Sequence, residues 1–204
     1  EFALKAIIPP VFYIDALMSF LNKKYYVSLL NAASFYGASH QRVQTFSVMT
    51  EAPKLRNTAK TGTSILFFSK KNIPEKYIRS HKAQSGYVKV ASPELTAIDL
   101  KEKEKHIGGL NRVCTVLNEL VDSIDFDKLN KDFFDLASTP IYQRLGYILE
   151  SILEREDLAD KFKSKFPLSL TTRNVPFKIG KSTEDCEIDK KWKIIINQEI
   201  EIDE

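Results

Sequence analysis

Between Tyr26 and Tyr36 the chain is apolar on nearly every side: Leu29, Leu30, Ala32, Ala33 and Phe35 leave no polar stripe, and Gly37 follows directly. A segment without a polar face belongs in an interior, so this run predicts a buried helix stopped by its glycine. Upstream, Pro9-Pro10 opens a second helix. There Ile14, Leu17, Met18 and Leu21 recur at i, i+3, i+4 and i+7, an amphipathic pattern over about 11–22.

The period then changes. Thr45 to Met49 alternates, Ser64 to Phe68 reads as a buried strand, and Lys76 to His81 and Tyr87 to Ala91 alternate again. Small polar residues at Asn57–Gly62 and Ala83–Gly86 mark connections. Ser92-Pro93-Glu94 has the cap, proline and first-turn acid of a helix start, with the helix running to about Glu104. Gly108-Gly109 breaks the chain before a helix ending near Val121; a further helix covers about 125–136, and Thr139-Pro140 caps another. The tail regains strand character at Trp192–Ile196, where it would close the sheet. Consecutive strands favour antiparallel pairing over βαβ repetition. The expectation is one α+β domain over residues 1–204, a mixed, largely antiparallel sheet packed with about five to six helices. Thirteen Phe and eight Tyr suffice to fill its core.

Charge is unevenly spread. From Lys54 to Lys82, eight cations (Lys54, Arg56, Lys60, Lys70, Lys71, Lys76, Arg79 and Lys82) face one acid, Glu75, a net +7 within 29 residues. With Phe67, Phe68 and Tyr77 interleaved, this strand-loop-strand unit is a candidate surface for phosphates or an acidic protein. The plainer reading is that the aromatics are core and the lysines keep sheet edges soluble. The stretch from Glu184 to Glu204 carries eight acids against three lysines. In an extended strand, Asp185, Glu187 and Asp189 would share one face beside Lys190, which leaves a metal-dependent nuclease as the rival reading.

Other chemistry finds no pattern. His40, His81 and His106 are far apart and fit no metal-ligand spacing, so each reads as a surface or capping residue. There is no GxSxG, P-loop or dinucleotide fingerprint. Cys114 keeps step with Leu110, Val113, Leu117 and Val121 as a small buried residue, and Cys186 stands alone. Two cysteines without CxxC spacing point to a reducing, cytoplasmic setting and to no metal or cofactor. No apolar run approaches the roughly 18–20 residues of a membrane span. The first residue, Glu1, suggests a trimmed amino terminus with something functional upstream.

Four segments together resemble the AbiEi antitoxins of bacterial abortive-infection systems. They are Ile8-Pro9-Pro10 with Tyr13 to Met18, Tyr25 to Gln41, Ser92 to Leu100, and Gly108 to Val113, occurring in that order within a match that runs to Ile196. The resemblance implies a bipartite protein, a winged-helix DNA-binding domain followed by an antitoxin domain, of which this chain is the second part. It implies a nucleotidyltransferase-like toxin as partner, countered without a stable complex, and repression of the protein's own operon. It implies no enzymatic activity. By the same resemblance DNA would be reached through the winged helix, which is expected to lie outside this chain. Beyond the basic stretch, Ser39, His40 and Gln41 are too polar for a core and read either as a recognition loop or as a hydrogen-bonded structural turn.

Overall fold

The computed structural model describes residues 8–39, 44–60, 63–84, 86–167 and 173–202. The fold is α+β, and within it the chain clusters into two compact units, Glu1–Thr96 and Ala97–Glu204.

The first unit is built on a six-stranded sheet. Its strands are β1 (Tyr25–Val27), β2 (Thr45–Glu51), β3 (Thr58–Lys60), β4 (Thr63–Lys70), β5 (Ile78–Ala83) and β6 (Gly86–Ala91), in the order β3-β4-β2-β1-β6-β5. β1 pairs antiparallel with β2 and parallel with β6, and β2 pairs parallel with β4. The outer pairs β3–β4 and β5–β6 are antiparallel hairpins. Antiparallel pairings outnumber parallel ones, yet the longest register, Thr45↔Ser64 through Glu51↔Lys70, is parallel.

Among the described residues two α-helices lie wholly in this unit, α1 (Ile14–Phe20) and α2 (Leu29–Ser34). The expected helix over 11–22 begins later, after a single 3-10 turn at Pro10–Phe12, and Ile14 and Met18 are its buried side chains. The expected helix from Tyr26 to Tyr36 is instead a strand followed by a helix. Tyr25, Tyr26 and Val27 are all buried, so this strand has no exposed face and lacks the alternation that would have marked it. Gly37 ends the helical stretch as expected, with φ +80° and its N–H on Ser34 O.

In α3 (Pro93–Glu102) the Ser92 hydroxyl accepts the Leu95 N–H at 3.4 Å, the predicted cap. This helix is buried from Pro93 through Lys101.

The second unit contains α4 (Leu110–Leu120), α5 (Thr139–Tyr147) continuing as a π turn over Ile148–Ile152, and α6 (Glu156–Lys165). The spacing-predicted face of α4 is buried at Leu110, Val113, Cys114 and Leu117. The helix expected over 125–136 is instead two 3-10 turns, Phe126–Lys128 and Lys131–Asp135. They insert Phe126, Phe133 and Phe134 into an aromatic core with Tyr142, Phe162 and Phe166.

The tail does not close the main sheet. Ile194–Ile195 (β9) pairs with Val175–Pro176 (β7) and Ile188–Asp189 (β8) in a separate three-stranded sheet, ordered β7-β9-β8. Trp192 precedes β9, fully buried and stacked on Phe162 with ring centroids 5.9 Å apart.

Candidate interaction surface

The sheet order divides the basic stretch. From the pairings, the C-terminal ends of β2, β4 and β5 and the N-terminal ends of β1 and β6 share one end of the sheet. Lys54 and Arg56 lie in the loop leaving β2 there, and Lys71 follows β4 at the same end. All three are exposed, and none has a hydrogen-bond or ion-pair partner among the described residues. In the same loop Asn57 accepts the Phe67 N–H at 3.0 Å through Oδ1, tying the loop to β4.

Other members of the stretch go elsewhere. Lys70 is buried, 9 % exposed. Lys76 and Arg79 lie around the start of β5, at the opposite end, where the Arg79 guanidinium donates to Lys76 O at 2.9 Å and Lys76 lies 5.6 Å from the Tyr77 ring. Lys60 is on β3. The connection Lys71–Tyr77 has to pass β2, β1 and β6, so the stretch is not one strand-loop-strand unit. That connection is held to β1 by an ion pair from Lys24 to Glu75 at 2.7 Å, which raises the lysine and lowers the carboxyl from their ordinary values. His40 and Gln41 lie outside the described residues.

A cavity of about 310 Å³ opens where β1, β5, β6 and this connection meet. Tyr25, Ile73 and Ile78 supply its apolar lining, and Lys24, Glu75, Ser80 and Lys89 its polar groups. The Tyr25 hydroxyl donates to Asp15 at 2.8 Å and lies 3.4 Å from the Lys89 N–H, while Lys89 Nζ stands 5.8 Å from its ring. Burial and the Asp15 hydrogen bond push that phenol well above its ordinary value. It is a neutral wall of the cavity at any physiological pH. None of this was visible in the sequence, because it depends on the β5–β6 register.

His81, read from the sequence as a surface or capping residue, lies within β5 and is half-buried. Its Nε2 sits 3.3 Å from the Tyr36 hydroxyl and its ring 5.1 Å from Phe35, and burial lowers its pKa. His106 is exposed at the end of a 3-10 turn.

The acidic stretch does not form the expected carboxylate face. Between Asp185 and Lys190 only Ile188 and Asp189 are strand, and Asp185 has φ +53°, which breaks the alternation that would align it with Glu187. Asp189 accepts the Trp192 N–H at 2.6 Å. Among the described residues no three of His, Cys, Asp and Glu gather as a metal-binding group. Among them, too, no helix is long and apolar enough to cross a membrane.

A different charge cluster, absent from the sequence reading, lies in the second unit. Lys101 and Lys178 both reach the buried Glu104, Lys178 at 3.1 Å. Arg144 is also buried, donating to the carbonyls of Pro176 at 2.9 Å and Pro140 at 3.3 Å. Burial pushes the Glu104 carboxyl up, but hydrogen bonds and charge from the two lysines outweigh it and hold it below the usual range.

Among curated proteins, no sequence matches this chain. Of solved structures, the RV2827C protein from Mycobacterium tuberculosis is similar with a TM-score of 0.61 and 13% identity, over 93% of this chain and 68% of that one; at this identity the likeness is one of fold. An antigenic nucleotidyltransferase-like protein from Paracoccidioides brasiliensis reaches a TM-score of 0.47 at 13% identity, over 78% of this chain and 93% of that one. The model of the AbiEi antitoxin C-terminal domain matches residues 26–151, more than half the chain and across both units. This chain belongs to the AbiEi antitoxin C-terminal domain family.

Proposed function

We propose that the chain is the antitoxin domain of a bacterial abortive-infection toxin–antitoxin pair. In this reading it counteracts a nucleotidyltransferase-like toxin in the cytoplasm, without catalysis and without a stable complex. Joined to a winged-helix DNA-binding domain, it also contributes to repression of its own operon. Family membership supports the antitoxin role.

The observation that carries a working surface is the exposed group Lys54, Arg56 and Lys71, three cations at one end of the sheet with no partner among the described residues. An ordinary surface cation gains little from a neighbouring acid. Three left unmatched make a local positive field that favours an anionic partner and speeds its encounter. Lys76 and Arg79 supply a second, separate positive patch near the start of β5.

The test is a Lys54→Glu, Arg56→Glu, Lys71→Glu variant in cells expressing the cognate toxin. Exposed and unpaired, these positions change stability by no more than about 0.5 kcal/mol each. The expected outcome is lost protection with an unchanged melting curve. A folded variant that protects as well as the wild type removes this surface from the account.

A further inference from the structure

We infer that the outer face of the β5–β6 hairpin binds single-stranded RNA, with the Tyr87 ring as a stacking platform for a base and Lys82 and Lys89 meeting the flanking phosphates.

The register creates the face. Lys82 lies opposite Tyr87 and Ser80 opposite Lys89, and residues directly opposed across antiparallel strands project to the same side. The intervening Val88 and Val90 are buried, so they point inward, and the alternation sends Tyr87 and Lys89 outward. Tyr87 is 65% exposed, the one large hydrophobic side chain among the described strand residues of the six-stranded sheet that is open to solvent. Among the described residues neither the Tyr87 side chain nor that of Lys82 has a hydrogen-bond, ion-pair or ring partner.

An exposed ring flanked by exposed cations is the arrangement that single strands use. The base stacks on the aromatic face while the charges follow the backbone, whichever base is present. In a duplex the base faces are already stacked on one another, so Tyr87 gains nothing from double-stranded ligand. A protein partner would need more apolar area than one isolated tyrosine offers.

The neighbouring cavity extends the site. At about 310 Å³ it is at the small end of ligand pockets, room for about one nucleotide. Ser80 and Lys89 belong both to its lining and to the hairpin face, so the two are continuous. Tyr25, Ile73 and Ile78 offer apolar contact to a base, and Lys24 adds a cation. The Ser80 hydroxyl and the Glu75 carboxylate are polar partners for a ribose 2′-hydroxyl, the group that separates RNA from DNA. Of the residues used, only Lys82, Glu75, Ile73, Ile78 and Ser80 fall within the basic stretch, and none is Lys54, Arg56 or Lys71. The RNA site therefore stands or falls independently of the antitoxin reading.

The experiment is fluorescence anisotropy with the full chain and a labelled RNA of mixed sequence, about 12 nucleotides long to cover an ordinary single-strand site. The same sequence is presented as single-stranded RNA, as duplex RNA and as single-stranded DNA. The wild type is expected to prefer single-stranded RNA over both. Stacking of one base is worth about 1–3 kcal/mol, so Tyr87→Ala weakens binding by about 5- to 150-fold, whereas Tyr87→Phe keeps the ring and stays within about twofold. Lys82→Glu with Lys89→Glu lowers affinity and flattens the salt dependence. Circular dichroism confirms that the exposed-site variants keep the fold. No binding by the wild type, equal or tighter binding of duplex or DNA, or a folded Tyr87→Ala that binds as well as wild type would each overturn the assignment.

Discussion

Gly146 lies flat against the indole of Trp192: a Cβ built on that glycine would fall 2.1 Å from Cζ3 of the ring. No real Cβ tolerates such a contact, so the glycine in α5 is there because the only tryptophan of the chain packs on its backbone. The indole is fixed from its other sides by Phe162, by Lys163 Nζ at 4.7 Å from the ring, and by a hydrogen bond from Nε1 to Glu150.

Gly146→Ala therefore overpacks the second unit. Forcing one methyl into a filled core costs about 1–3 kcal/mol. The expected result is a melting temperature several degrees lower. Trp192 itself reports it, because its buried ring emits at short wavelength and shifts red on unfolding. An unchanged fluorescence melt would show that the indole can move aside.

The Glu104 cluster sets an acid limit. Its carboxyl is held below its unfolded value, so it stabilises the fold above that value and loses this contribution as pH falls through the folded pKa. The expected observation is stability declining as the solution is acidified below about pH 4.5, with a shallower decline in Glu104→Gln. At neutral pH the same variant leaves Lys101 unmatched in a buried site and costs about 3 kcal/mol. Chemical denaturation across pH measures both, and parallel pH profiles for the two proteins would contradict the assignment.

The two cysteines should react very differently. Cys114 is fully buried on α4, and burial pushes its thiol up to about 12, so neither access nor thiolate is available. Cys186 is partly exposed, with its thiol on Glu184 O at 3.4 Å. A thiol-reactive chromophore at neutral pH is expected to count one thiol in the folded protein and two after denaturation. Two fast thiols in the native state would place Cys114 wrongly.

Periodicity made some elements legible and hid others. α4 was plain because Leu110, Val113, Cys114 and Leu117 repeat at helical spacing with polar residues between. β1 was hidden because Tyr25, Tyr26 and Val27 are buried on both faces and run directly into the apolar α2. The 125–136 segment carries enough Phe and Leu to suggest a helix, yet it buries them from two tight turns. α6 was missed although Leu158 and Phe162 are spaced at i and i+4, because its other positions are mostly charged. For the surface, sequence supplied the cations but not their grouping. Lys70, Lys71 and Arg79 look like one cluster along the chain, whereas the fold buries Lys70 and sends Arg79 to the other end of the sheet. Tyr87 and Lys82 become neighbours only through a hairpin register, which composition does not encode.

The central claim is that this chain is an antitoxin domain, and growth rescue tests it most directly. The chain would be expressed under separate control in cells that also express the nucleotidyltransferase-like toxin proposed as its partner, and colony survival scored with and without induction. The account predicts that toxin alone arrests growth and that wild-type chain restores it. Continued arrest, with the chain shown to be folded and present in those cells, would contradict it.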